Sequence, residues 1–203
     1  MEPYLPNAPV IVEAGAHVGG DTRAMARRWR TATVHAFEPL PEIFVQLELN
    51  VRGLKGVYCH RLALGPVEGS VPMWVSSGAS DGSSSLRQPK THLTSHPDVS
   101  FPRVAQVESV TLDGWAREHG IEPDLLWLDL QGGELDALRA GETVLDHVTL
   151  IHAEVSVIEE YEGVALYPEL RAWLEDRGFS VLAEALPAGS PQGNVLFARL
   201  GRS

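Results

Sequence analysis

Short apolar runs alternate along most of the chain with stretches in which apolar positions recur every three or four residues. The first run, 10–13, has no in-out alternation, so it predicts a strand buried on both faces. A turn holding Gly15 and Gly19 follows, and 23–29 predicts a helix with Asp21 or Thr22 as its cap. Residues 33–38 give a second buried strand, stopped by Pro39 and Pro41, and 43–50 carry helical spacing. This βαβ rhythm predicts a parallel sheet with right-handed crossovers.

Residues 57–64 predict a third strand, and 69–75 a short one after the turn at Gly65 and Pro66. Periodicity then stops. From 76 to 106 the chain is rich in serine, glycine and proline, and a loop of that length in the middle of an α/β sheet predicts a substrate-side lid. The pattern resumes with a strand at 107–112 and a helix at 113–119. The most apolar run, 125–130, predicts a central strand, turned by Gln131, Gly132 and Gly133 into a helix at 134–140. A strand at 149–155, a helix at 167–177 and a closing hairpin of 179–184 with 194–200 complete one domain spanning 1–203.

Composition narrows the function classes. With 203 residues, 44% apolar and 21% charged, the chain fits one well-filled core. It has no run near the roughly 18 apolar residues of a membrane span, and its start lacks the basic and apolar regions of a signal peptide, so a cytoplasmic protein without membrane partners is expected. The single Cys59 permits no internal disulfide. A net charge of -11, from 16 Lys and Arg against 27 Asp and Glu, argues against nucleic acid, which is held mainly by basic side chains. Arg23, Arg27, Arg28 and Arg30 read as a solvated helix face.

The turn after the first strand carries the candidate chemistry. A dinucleotide site asks for G-x-G-x-x-G, and the second glycine is missing here, as is the G-x-x-x-x-G-K-[ST] of a triphosphate loop. What remains is Glu13-x-Gly15-x-x-x-Gly19. A cationic ligand without phosphate suits a carboxylate at that place, and S-adenosylmethionine carries a sulfonium and an amino group. Glu38, ending the second strand, is placed to accept both ribose hydroxyls. Together they predict an α/β, Rossmann-like, class I adenosylmethionine-binding sheet.

The motifs Val-Glu-Ala-Gly-Ala-His-Val-Gly at 12–19, His-Ala-Phe-Glu-Pro at 35–39, Leu-Ala-Leu-Gly at 62–65, Gly-Ser-Ser-Ser-Leu at 82–86, Asp-Leu-Leu-Trp-Leu-Asp-Leu-Gln-Gly-Gly-Glu-Leu at 124–135 and His-Ala-Glu-Val-Ser at 152–156 stand in series. In order and spacing they resemble the FkbM family of adenosylmethionine-dependent methyltransferases over roughly residues 10–199. The resemblance implies the seven-stranded methyltransferase sheet, mostly parallel with its last strand antiparallel, and O-methylation of a hydroxyl on a sugar, polyketide or other small secondary metabolite. Along these motifs the cofactor-binding set reads Glu13, Ala14, Gly15, Ala16, Gly19, Thr22, Glu38, Pro39, Ala63 and Asp129. Two departures stand out: the family more often has Asp at Glu13 and Lys at Trp127. The chain also begins almost at its first strand, which shifts the covering role to 76–106 or to a second subunit of a homodimer.

Methyl transfer to an alcohol is an in-line displacement that needs the hydroxyl aligned, its proton removed and water kept out. Ligand sites of parallel sheets lie beyond the carboxyl ends of strands, which nominates Asp129, His152 and Glu154 as catalytic residues. Each also has a plainer reading: Asp129 as a helix cap, His152 as a core histidine, Glu154 as a paired or solvated carboxylate. Mg²⁺ on Asp129, Glu134 and Glu154 is a weak alternative, since no carboxylate cluster is evident in the spacing. His92 and His96 share i, i+4 spacing, but Pro97 opposes helix there and with it a zinc pair. Ser83, Ser84 and Ser85 are candidate ligand contacts, and Trp127 and Tyr161 candidate walls for the small-molecule acceptor. Two other function classes remain at this stage: a nucleotide-dependent oxidoreductase, and a non-catalytic subunit on the same fold.

Overall fold

The computed structural model describes residues 1–199. After a 3-10 turn at Glu2–Tyr4, β1 (Val10–Ala14), α1 (Gly20–Arg28), β2 (Thr33–Phe37), α2 (Pro41–Val51) and β3 (Val57–His60) build one half of a sheet. An insertion follows, made of β4 (Ala63–Leu64), β5 (Gly69–Gly78), α3 (His92–Ser95) and β6 (Val99–Val110). The other half comprises α4 (Leu112–His119), β7 (Leu125–Leu128), α5 (Glu134–Arg139), β8 (Leu150–Ser156), α6 (Tyr167–Asp176), β9 (Ser180–Ala185) and β10 (Gln192–Ala198).

The main sheet has seven strands in the order β3-β2-β1-β7-β8-β10-β9, and β10 runs antiparallel to both its neighbours. Seven strands, mostly parallel with the last antiparallel, are as expected; the strand order is new. It reverses direction between β1 and β7, and such a switch point opens a crevice beyond the carboxyl ends of the two strands. Both faces of the central strands are covered, which is why their sequences do not alternate. Val12, Leu126, Leu128 and Ile151 pack on Trp115, Leu138 and Leu174 from α4, α5 and α6, while Ile11, Leu125 and Leu150 pack on Met25 from α1. Each such aliphatic side chain contributes about 1.5–3 kcal/mol on burial. Among the described residues no helix is long and apolar enough to cross a membrane.

Four sequence expectations need correction. The stretch 76–106 is not one loop: β5 runs on to Gly78 and pairs antiparallel with β6, leaving α3 and a loop, 79–91, at the tip. One face of this ribbon is solvated, but Val104 stands on the exposed side and Arg103 on the other, and Pro72 and Pro102 interrupt it, so no clean alternation marks it. The expected strand 57–64 splits between Val57–His60 in the main sheet and Ala63–Leu64 in a second sheet of order β4-β6-β5. The first helix has no side-chain cap from Asp21 or Thr22; Gly19, at φ 82°, precedes it, and the Thr22 hydroxyl donates instead to Glu13 Oε2 at 2.5 Å. The closing strand ends at Ala198, and Leu200 lies outside the described residues.

Candidate active site

A cavity of about 370 Å³, within the size range of small-ligand sites, opens at the β1/β7 switch point. Its polar floor is Gly15, Glu38 and Asp129, at the ends of β1, β2 and β7. Phe37, Leu40, Ile43 and Leu62 make an apolar wall, and Asp81, Ser84, Ser85, Leu86 and Arg87 from the 79–91 loop form the roof. The loop thus sits where a lid was expected, held by the β5/β6 ribbon.

The glycines are required first by the chain itself. A Cβ on Gly15, which sits at φ 86°, would run into the backbone carbonyl oxygen of Asp129. One on Gly19 would meet Leu47 Cδ1 of α2 at 2.7 Å. Gly15 therefore lets the ends of β1 and β7 converge, and Gly19 lets α1 close on α2.

Of the expected cofactor residues, Gly15, Glu38, Pro39, Ala63 and Asp129 line the cavity. Ala14, Ala16, Gly19 and Thr22 are not on its wall. Neither is Glu13, which is 2% exposed behind the turn. Burial pushes the Glu13 carboxyl up to about 8 against the opposing hydrogen bond from Thr22, with the Asp21 and Asp129 charges adding to the rise. Burial likewise raises Glu38 to about 7, opposed by the Leu40 N–H that donates to its Oε1 at 2.8 Å.

At the acidic end of the cavity, Gln131 Nε2 donates to Asp129 Oδ1 at 2.7 Å and to Glu154 Oε2 at 2.8 Å. Burial raises both acids, Glu154 also through the neighbouring Asp129, Glu134 and Glu160 carboxylates. The structure thus brings Asp129 and Glu154 together. His152 it does not: two residues before Glu154 on the same face, it sits about 7 Å deeper along the strand. Its ring stacks on Trp127 with centroids 3.7 Å apart, off the cavity wall. Tyr161, fully buried, donates from its hydroxyl and forms no part of the wall.

Glu134 Oε1 accepts the Leu130 N–H at 2.7 Å, and Gln131 stands between the other two acids, so the three weak Mg²⁺ candidates already have protein partners. No group of three or more metal-ligating side chains that could hold an ion occurs among the described residues. His92 lies in α3 and His96 just beyond it, where His96 Nδ1 faces Glu160 Oε1 at 3.3 Å.

Sequence reading missed Gln131, His17 and Asp81. His17, at φ 49°, lines the cavity and its Nε2 lies 3.1 Å from Asp81 Oδ1 of the loop. The available signal was positional: His17 stands inside the glycine turn, and Gln131 between an apolar strand and two glycines, both places where ligand-facing backbone is tight.

The chain matches the family model described as the methyltransferase FkbM domain over residues 13–181. It is 33% identical to the 2-O-methyltransferase NoeI of Sinorhizobium fredii, over 93% of this chain and 78% of that protein. It is 26% identical to the methyltransferase sdnD of Sordaria araneosa, over 96% of this chain and 83% of that protein. Among solved structures it resembles the magnesium protoporphyrin IX methyltransferase of Synechocystis with bound adenosylmethionine (TM-score 0.55, 11% identity, 98% of this chain and 73% of that one). It also resembles the fibrillarin pre-rRNA processing protein of Methanococcus jannaschii (TM-score 0.59, 11% identity, 98% and 70%). These two likenesses concern the fold; the family match, running from β1 into β9, speaks for methyl transfer over nucleotide-dependent redox chemistry. The chain belongs to the FkbM family of methyltransferases.

Proposed function

We propose that this methyltransferase uses adenosylmethionine, without a metal, to methylate a hydroxyl of a small metabolite: a sugar, a polyketide or a related acceptor. The observation that carries the reading is the charge of the cavity end. Among the described residues, Glu38 and Asp129 stand on the cavity floor and Glu13, Glu134 and Glu154 are buried behind it, with no lysine or arginine paired to any of them. Buried carboxylates without a cation fit a ligand that brings its own.

When bound, adenosylmethionine supplies a methyl group on a cationic sulfonium. Glu38, at the end of β2, accepts the ribose hydroxyls, and the wall of Phe37, Leu40, Ile43 and Leu62 takes the flat base. Asp129 is the general base: it lines the cavity, is held by Gln131, and takes the acceptor's hydroxyl proton as the oxygen attacks. Glu154, held in reserve behind Gln131, tunes the charge of Asp129. The 79–91 loop keeps water away. The name of NoeI, a 2-O-methyltransferase, supports a hydroxyl as the methylated group.

Mass spectrometry of glycosides and polyketides incubated with the protein and adenosylmethionine tests the proposal. A gain of one methyl on one acceptor class is expected, falling roughly 10²–10⁴-fold in Asp129→Asn. Full activity in that variant would remove Asp129 as the base; failure of adenosylmethionine to bind at all would remove the whole reading.

A further inference from the structure

Gln131 is the one non-glycine residue besides His17 that the described structure holds at positive φ, here 51°. Strain of this kind costs about 1–3 kcal/mol and persists where the surroundings fix it. The surroundings come from three directions. Nε2 donates to Asp129 at the end of β7 and to Glu154 on β8. Oε1 lies 3.1 Å from the Tyr161 hydroxyl, and the Gln131 backbone oxygen accepts the Ser85 hydroxyl at 2.8 Å. The Tyr161 hydroxyl also lies 2.8 Å from the Ser83 carbonyl oxygen, so one phenolic hydrogen serves two acceptors. Reversing the amide would aim its oxygen at two carboxylates, which fixes the orientation described.

Ser83 and Ser85 belong to the loop that roofs the cavity, and Asp129 to its floor. We infer that Gln131 is a positioning residue that orients Asp129 and makes this orientation depend on docking of loop residues 83–85. The inference takes Asp129 as the base proposed above. With the loop seated, Ser85 holds the strained backbone and Tyr161 holds the amide oxygen, so both amide hydrogens face the acids. With the loop lifted, the Ser85 restraint on the strained Gln131 backbone goes, and the turn is free to relax and carry the amide away from Asp129. The base is then set only when the cavity is covered.

Other charged groups act on Asp129 and must be held constant in any test: Glu13 on β1, His17 in the turn after it, Asp21 on α1, Glu134 on α5, Glu154 on β8 and, as a polar neighbour, Tyr161. None of these residues is substituted in the Gln131 and Ser85 variants; the Gln131 variants also release Glu154, so its titration is followed in the same spectra.

The experiment is a carboxyl ¹³C NMR titration of Asp129 in the intact protein, with thermal melts to check folding. Gln131→Ala removes a charge-assisted donor and is expected to move the Asp129 midpoint up by about one pH unit. Gln131→Glu keeps the shape without both donors and shifts it the same way. Ser85→Ala, which leaves the amide in place, shifts it upward by less. Shifts below about 0.2 unit in both Gln131 variants would overturn the positioning role, since loss of such a donor is worth several times that. Shifts confined to the Gln131 variants, with none in Ser85→Ala, would overturn the link to the loop. Calorimetry with adenosylhomocysteine on the wild type is run alongside: absence of binding defeats the methyltransferase reading, while the titration still judges Gln131.

Discussion

Replacing Glu13 by Gln tests whether the acidic site is held at the expense of stability. Burial raises this carboxyl from an ordinary 4.5 to about 8 in the folded protein. A carboxyl raised on folding contributes stability that is fully present below 4.5 and is lost as pH rises through 8. At pH 7 the loss amounts to about 3 kcal/mol, taking 1.36 kcal/mol per unit between 4.5 and 7. Glutamine has nearly the same shape and keeps an oxygen for the Thr22 hydroxyl, so Glu13→Gln avoids that loss while retaining the hydrogen bond. The variant should melt roughly 6–12 °C above wild type at pH 7, at about 2–4 °C per kcal/mol for a chain of this size. At pH 5 the gain shrinks to less than about 1 kcal/mol. Differential scanning calorimetry at the two pH values measures both. Equal melting shifts at pH 5 and pH 7, or a variant less stable than wild type at pH 7, would refute the account of Glu13 as a carboxyl whose burial costs stability at neutral pH.

Three further outcomes are expected. His35 and His60, 3.0 Å apart through Nδ1 and Nε2, are both lowered by burial to about 4, so they stabilise the fold above 6.5 and lose that contribution as pH falls towards 4. His35→Phe should therefore gain about 2 kcal/mol on wild type between pH 7 and pH 5 in urea unfolding; a constant difference would contradict the assignment. Gly15→Ala, forced against the Asp129 carbonyl at a left-handed φ, should cost more than about 3 kcal/mol, whereas Gly20→Ala, with open space around it, should be neutral or stabilising. Chelation with EDTA should leave methyl transfer unchanged; a loss restored by Mg²⁺ would show that the acids carry a metal after all.

The parallel sheet was legible because burial on both faces writes itself into runs such as Leu125 to Leu128, and the place of Glu38 on the cavity floor was legible because it ends such a run. The β5/β6 ribbon was not, since Val104 on its exposed side and Arg103 on the other blur the alternation and its serines and prolines mimic a loop. Glu13 and His152 show a different limit. Spacing puts them on the right strands, but only the register shows that Glu13 stands behind the turn and that His152, paired with Trp127, lies a step below Asp129. Gln131 was hidden because its role rests on a backbone conformation and on partners 23 to 46 residues away, Glu154 and Ser85, that no local pattern records.

The central claim is that the cavity at the β1/β7 switch point is the methyl-donor site. Titration calorimetry of adenosylhomocysteine into wild type and Glu38→Gln tests it most directly. The account predicts one-to-one binding to wild type and binding weaker by about tenfold or more in the variant, the cost of about one charge-assisted hydrogen bond. No binding to wild type, or equal affinity in both proteins, would contradict it.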